Sequence, residues 1–533
     1  MFERSIVQIK LTAVVLAILF LFQIFINDKA CAQISSEEID LLVKEALEKF
    51  EVAGAAVGIV KDGVVVLSKG YGMRSIETRE KVNGHTDFAI ASNSKAFTTA
   101  ALSILVDEGR LSWKDKVRDY IPEFKMYNDY VTENFIIEDL LTHRSGLGLG
   151  AGDLMVFPDG GDFTMQDVLT CFQYFEPASA FRTKYDYDNH LYKVAGEVIK
   201  RVSGMSWEKF VKTRILEPLG MDNSYTSLNQ ITDKSNLAAA HSTVSGKLKT
   251  IPQYTRDPEK INGASGAIFS NADDLCKWML LQLNGGRYGK NLEKQLFSEA
   301  NHREMWKIHT TLNVDPDPRY NSHFAGYGLG WFLKDICGKM CVYHTGTLAG
   351  MLSKTVLIPD IALGVVVLTN TEYGGNGVRH SVTQTIVDSY LGLDDFGWVD
   401  KYYQRFQESK SSADSVTARV WEVVKSTKDN HINMGTYVGV YEDNWFGKIE
   451  VFMNDGQLWF KSYRSPKLNG PMYHYKANAF AIRWEDRDLD ADAFAIFSLD
   501  EEGKGQSIRM KGISPDIDFS YDFQDLDLRR ISK

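Results

Sequence analysis

The spacing of apolar positions changes several times along the chain, and each change predicts a different element. Ile39, Leu42, Val43, Ala46, Leu47 and Phe50 recur every three or four residues. They follow Ser35 and Glu38, the pair that closes a capping box, so an amphipathic helix is expected there. Two apolar runs, 55–61 and 64–70, then flank Asp62-Gly63, a hairpin signal. From about residue 92 to 300 the pattern is mostly helical, with long loops. Strand-like runs return at 327–333, 342–345, 353–358 and 363–369, and a helical pattern follows over 378–391.

Strands therefore open and close this region while helices fill its middle. The predicted class is α/β, of the α+β kind: one antiparallel sheet built from both ends, flanked by helices and carrying a helical insertion. Residues 394–432 are polar, contain Ser409-Lys410-Ser411-Ser412, and read as a linker with a helix over 416–425. From about 433 to 533 strand follows strand, as at 448–452, 458–461 and 494–499. The alternation Ile517-Asp518-Phe519-Ser520-Tyr521-Asp522-Phe523 predicts a half-buried strand. This stretch reads as a small all-β, barrel-like domain. The expected organisation is a leader over 1–32, a main domain over 33–393, the linker over 394–432 and the barrel over 433–533.

Composition narrows the class of partner. Hydrophobic residues are 44% and charged residues 24%, which fits a globular protein. The net charge is −10 and no basic block occurs, so nucleic acid is not an expected partner. The leader has Arg4 and Lys10 before an apolar run over 11–26, then Ala30-Cys31-Ala32, the small-x-small pattern of a cleavage site. Cleavage would leave no membrane span and an exported, periplasmic or secreted protein. An uncleaved anchor, or a lipid on Cys31, is the alternative. In an oxidising compartment Cys337 and Cys341, which bracket a predicted hairpin, are expected to form a disulfide.

Ser92-Asn93-Ser94-Lys95 carries the candidate chemistry. Residues three apart on a helix share a face, so the lysine amine can hold or take the serine proton. Ser206-Trp207-Glu208-Lys209 has the same spacing and is read as an ordinary helix surface. No Gly-x-Ser-x-Gly, His-Glu-x-x-His or Walker pattern occurs, and neither a metal nor an organic cofactor is implied.

Ala91-Ser92-Asn93-Ser94-Lys95-Ala96-Phe97-Thr98 resembles the nucleophile segment of the serine β-lactamases and penicillin-binding proteins. Tyr187-Asp188-Asn189 resembles the Tyr-x-Asn element of the class C enzymes and DD-peptidases, and His344-Thr345-Gly346 their Lys-Thr-Gly element. Asp107-Glu108-Gly109-Arg110-Leu111, the segment Leu140–Leu147 and Glu217-Pro218-Leu219-Gly220-Met221 look like the same family, over about 37–391. The C-terminal part looks like the lipocalin-like domain appended to some of these hydrolases. The resemblance implies acyl transfer through a serine ester. Ser92 would attack, and Lys95 and Tyr187 would move the proton, with the base left open between them. Asn189 would bond Lys95 or a substrate amide, and the N–H groups of Ser92 and Thr347 would form the oxyanion hole. His344, Thr345, Gly346 and Thr347 would line the substrate.

Two departures shape the expected substrate. Histidine replaces the family's lysine at position 344, as in the D-aminopeptidase and esterase branches, and is charged only part of the time near neutrality. Asp188 would repel an anion if it pointed inward. The expectation is a serine hydrolase for an amide or ester, D-amino-acid peptides included, with penicillin turnover improving as pH falls toward 6. A β-lactamase or DD-carboxypeptidase is the alternative within enzymes, and a silent cell-wall-binding protein the alternative outside them. A small-molecule or peptide substrate is the expected partner, with a homo-oligomer left open.

Overall fold

The computed structural model describes residues 33–244, 246–314, 317–427 and 432–531; the leader predicted over 1–32 lies outside them. Helix α1 (Ser36–Lys49) begins with the capping box between Ser35 and Glu38 and buries Ile39, Val43, Ala46 and Leu47. Strands β1 (Gly54–Lys61) and β2 (Val64–Gly72) form the predicted hairpin, turning at Asp62 and Gly63 with φ of 51° and 82°. Helix α2 (Ser94–Asp107) is buried from Ser94 through Leu105, so it runs through the core rather than along its surface. Helices α3 (His190–Ser203) and α4 (Ala272–Leu283) are the longest of the other helices in the insertion.

The chain then returns to the sheet with β3 (Thr310–Thr311), β4 (Ala325–Tyr327), β5 (Phe332–Ile336), β6 (Lys339–Leu348), β7 (Met351–Ile358) and β8 (Leu363–Thr369), followed by α5 (Gly374–Tyr390). The sheet has eight strands in the order β2-β1-β8-β7-β6-β5-β4-β3, all antiparallel. The first and last strands thus lie side by side, as the sequence pattern implies. α1 and α5 cover one face, and α2, α4 and the rest of the insertion cover the other. Strands β7 and β8 are buried throughout; β8 is accordingly a nearly continuous apolar run, whereas β7 buries Ser353, Lys354 and Thr355 among its apolar residues. The predicted strand 327–333 is two strands, because Gly330 turns with φ +81° against Thr99.

The predicted linker is mostly one helix, α6 (Trp398–Ser426), of 29 residues. Its first half packs on the main domain: Tyr402 stacks on His380, and Tyr403 and Phe406 meet Phe50 edge-on. Those contacts override the weak helix preference of the serine run. Beyond it β9 (Gly439–Asp443), β10 (Gly447–Asn454), β11 (Gln457–Ser462), β12 (Asn469–Lys476), β13 (Ala479–Ile482), β14 (Ala493–Leu499), β15 (Gly505–Gly512) and β16 (Leu528–Arg530) close into a barrel. Tyr437, Phe480 and Phe497 meet edge-on in its core, centroids 4.8–5.7 Å apart.

Two expectations are corrected. Residues 517–523 are not a strand but lie in the β15–β16 loop, with polar side chains bonded into the main domain. Cys337 and Cys341 are free thiols: Cys337 sits in the β5–β6 turn with φ 49°, and Cys341 pairs across the ladder with Lys334, so the sulfurs do not face each other. Among the described residues no helix is long and apolar enough to cross a membrane.

Candidate active site

Ser92 lies in a 3-10 turn, Ala91–Asn93, that runs into α2. The turn is clamped on both sides. Ile90 N–H donates to Ile268 (2.9 Å), and Ser353 Oγ donates to the Ile90 carbonyl (2.7 Å). Ala91 has φ +49°, a conformation that costs an L-residue energy and marks a turn held by its surroundings. Strand β6 comes so near that a Cβ on Gly346 would lie 2.1 Å from the Ile90 carbonyl. The glycine is needed for that approach.

One turn on, Lys95 is fully buried. Its Nζ lies 3.1 Å from Ser92 Oγ, 2.7 Å from Asn189 Oδ1 and 2.9 Å from the Ser265 carbonyl. Burial first, then the cations Lys193 and Arg256, push its pKa well below the usual lysine value, although Asp153 and Asp188 pull the other way. Nζ also sits 4.6 Å from the centre of the Tyr187 ring. Burial raises the Tyr187 pKa well above 10, against a hydrogen bond to Ser92 that lowers it. Tyr187 is therefore a neutral phenol beside the serine.

The Tyr187-Asp188-Asn189 segment faces three ways. His143 lies under the Tyr187 ring, centroids 4.2 Å apart, and its Nδ1 accepts the Asp188 N–H (3.1 Å). The Leu140–Leu147 loop thus packs beneath the site. Asp188 is buried, does not line the cleft and caps α3, accepting from His190 N (2.8 Å) and Leu191 N (3.3 Å). The expected repulsion of anions by an inward Asp188 is thereby corrected. Burial and Asp153 push its pKa up to about 7. Asn189 reaches Lys95 with its carbonyl and donates its amide to Asp153 Oδ2 (2.8 Å).

Strand β6 forms the opposite wall with His344, Thr345 and the exposed Thr347. His344 Nδ1–H donates to the Thr345 carbonyl (2.6 Å), which leaves Nε2 to accept from the Tyr327 hydroxyl (3.0 Å). Burial, and Lys95 beside it, push His344 down to about 3. It stays neutral at pH 6, so the expected acid gain in penicillin turnover loses its cause. Arg379 also lines the cleft, but its guanidinium is directed at the Gly346 and Ser353 carbonyls and Asn376.

These walls enclose a cleft of about 1130 Å³. Its far side includes Phe519, Ser520 and Tyr521 from the barrel. The sequence reading missed Asp153 and Ser265, which carry no local pattern, and Ser520, whose alternating segment points to a strand instead of a site. Trp278 and Trp331 are core, Trp278 stacking on Phe97 at 3.8 Å. Glu138, Glu304 and His309 come close enough to hold a metal ion, but Glu138 is already paired with Arg144 (2.7 Å) and Lys114, and none of the three lines the cleft.

Comparison with known proteins agrees with this fold. A family model described as Beta-lactamase matches residues 39–385, and one described as a domain of unknown function (DUF3471) matches 425–530. The chain is 27% identical to "Unguisins hydrolase ungD'" of Aspergillus campestris over 434 residues, 78% of this chain and 77% of that protein. It is 30% identical to "Protein flp" of Staphylococcus aureus over 358 residues, 66% and 67% of the two. Among solved structures, the octameric penicillin-binding protein homologue from Pyrococcus abyssi superposes with TM-score 0.59 at 20% identity, covering 93% of this chain and all of that one. A penicillin-binding protein from Bacillus halodurans gives 0.53 at 22%, covering 64% and 98%.

Proposed function

The chain belongs to the Beta-lactamase family of serine hydrolases, and we propose that Ser92 is its nucleophile and Lys95 the base that activates it. The observation that carries this reading is the set of Lys95 partners. Asn189 Oδ1 and the Ser265 carbonyl can only accept, so they take two N–H bonds from Nζ. A neutral amine has two N–H bonds and one lone pair, and the lone pair is left for the Ser92 hydroxyl at 3.1 Å. The depressed lysine pKa supports the neutral form.

The Ser92 proton moves to Lys95 Nζ as Oγ bonds the substrate carbonyl carbon, whose π pair moves onto oxygen. The N–H groups of Ser92 and Thr347 stabilise that oxyanion; a donor of this kind contributes about 3–4 kcal/mol. Collapse expels the amine or alcohol, which takes the Tyr187 phenol proton as the Lys95 ammonium returns one to Tyr187, leaving both neutral. Water then hydrolyses the acyl-serine, with Lys95 again as base. A positioned base is worth roughly 10²–10⁴ in rate.

Short esters and D-amino-acid amides are the proposed substrates, ahead of penicillins. A neutral His344 offers no charge to a carboxylate, and the Arg379 donors are directed at protein acceptors. We place the enzyme outside the cytoplasm on the leader pattern of residues 1–32. The test is labelling with a fluorophosphonate followed by mass spectrometry, then kcat/KM on an ester, a D-amino-acid amide and a penicillin. Label on Ser92 and a preference for the first two are expected. Label elsewhere would end the nucleophile assignment, and a penicillin preferred over both would make this a β-lactamase or DD-carboxypeptidase.

A further inference from the structure

The Asn189 side chain makes two bonds of opposite sense: its carbonyl accepts from Lys95 (2.7 Å) and its amide donates to Asp153 (2.8 Å). An amide can be turned over, and what fixes its sense is the character of its partners. Asp153 is fully buried, and His190 Nδ1 at 3.2 Å and Ser520 Oγ at 3.0 Å also bond its carboxylate. Burial works against its charge, but the bonds from His190 and Asn189 and the Lys193 charge outweigh this and hold Asp153 below the usual carboxylate range. It therefore accepts only, and the Asn189 NH₂ must face it.

Ser520 comes from the β15–β16 loop of the barrel. Two residues on, Asp522 is also fully buried and accepts from Gly152 N and Leu154 N, both at 2.8 Å. Those are the backbone groups on either side of Asp153. The same loop passes so close to Gly150, at φ +76°, that a Cβ there would meet the Phe519 carbonyl at 2.7 Å. The Phe519 ring meets Tyr187 edge-on at 5.7 Å.

We infer that Asp153 is a positioning residue for the reaction and that the barrel, through Ser520 and Asp522, holds it in place. Asp153 locks the Asn189 amide with its carbonyl toward Lys95, and so keeps the Lys95 lone pair on Ser92. With the amide reversed, an NH₂ would face the amine, Lys95 would turn its lone pair to Asn189 and an N–H to Ser92, and it could not take the proton. The inference rests on the reading of Lys95 as base.

The test uses the full-length chain and its Ser92→Ala, Asp153→Asn, Ser520→Ala and Ser520→Thr variants, with a p-nitrophenyl ester and a fluorophosphonate as probes and a thermal melt to confirm folding. Asp153→Asn should lower kcat and the labelling rate about 10²-fold, the scale of a misplaced catalytic group, with KM little changed. Its acid limb should move to lower pH, because an ammonium at Lys95 loses the anion that favours it. Lys193, Arg256, Asp188, His190, His143, His344 and Asp522 share these surroundings and are unaltered in that variant. Ser520→Ala should lose about tenfold in kcat, and Ser520→Thr should recover it. A folded Asp153→Asn with an unmoved limb, or a Ser520→Ala with wild-type kcat, overturns the inference. Full activity in Ser92→Ala would instead bring down the nucleophile assignment beneath it, so the two failures are told apart.

Discussion

Ser92-Asn93-Ser94-Lys95 and Ser206-Trp207-Glu208-Lys209 share one spacing and differ in almost everything around it. At the first, the lysine is fully buried and its amine meets the serine, Asn189 and Ser265. At the second, Ser206 and Lys209 are both exposed, and the Ser206 hydroxyl accepts from Lys209 backbone N–H at 3.2 Å to cap a short helix. The local sequence brings a hydroxyl and an amine to one helix face. Whether they exchange a proton depends on burial and on which acceptors take the amine's hydrogens, and those are tertiary properties.

The largest expected effect breaks the first pair. Ser92→Ala or Lys95→Ala should cost roughly 10⁴–10⁶ in kcat, the range seen when a nucleophile or its base is removed, whereas Lys209→Ala should leave kcat unchanged. Steady-state ester hydrolysis checks all three, and equal losses at positions 95 and 209 would erase the distinction. Next comes packing at the first pair. Gly346→Ala would drive a Cβ into the Ile90 carbonyl and push β6 away from the Ser92 turn. Overpacking of this kind costs about 1–3 kcal/mol, read as a lower urea midpoint, and kcat should fall at least tenfold. An unchanged kcat would mean that the close approach does not shape the site.

The pH profile sharpens the comparison further. A lysine with a depressed pKa is a usable base above that pKa, so kcat/KM should rise as pH climbs through it and fall away as Lys95 protonates below. His344, already neutral above about 3, should not set this limb, so His344→Gln should leave its position within about 0.3 pH unit. A limb that moves with His344 would reassign the titrating group. The smallest effect belongs to the second pair. Ser206→Ala removes a helix cap worth about 1 kcal/mol and should lower the urea midpoint with activity intact.

Where residues near in sequence are near in space, the chain is legible before it is folded. Ser92 and Lys95, the β1–β2 hairpin and the continuous apolar strand β8 are of that kind. Tyr187, Asn189 and His344 were found only because short family-like segments surround them. Asp153 gave no signal, because it sits in the glycine-rich segment 148–155, with neither helical nor strand period. Residues 517–523 gave a misleading one. Alternation normally separates a core face from a solvent face, yet here Ser520 and Asp522 are the inward residues and are bonded to another domain. The Ser409–Ser412 run was read as linker for a related reason: propensity is local, and the aromatic contacts that hold α6 come from more than 300 residues earlier and from α5.

Ser520 bonds Asp153 from far down the chain, and that gives the protein a history as well as a shape. At about 5–20 residues per second, a ribosome needs roughly 20–90 s after making Ser92 to reach Ser520. Throughout that interval the nucleophile and its lysine exist without the group that steadies them from behind. The nascent chain has no complete site until β6–β8 are made and, from there to the β15–β16 loop, has one without its last support. A premature stop or a protease cut ahead of the β15–β16 loop would leave it slow for good, so completeness of the chain is itself a condition for full activity.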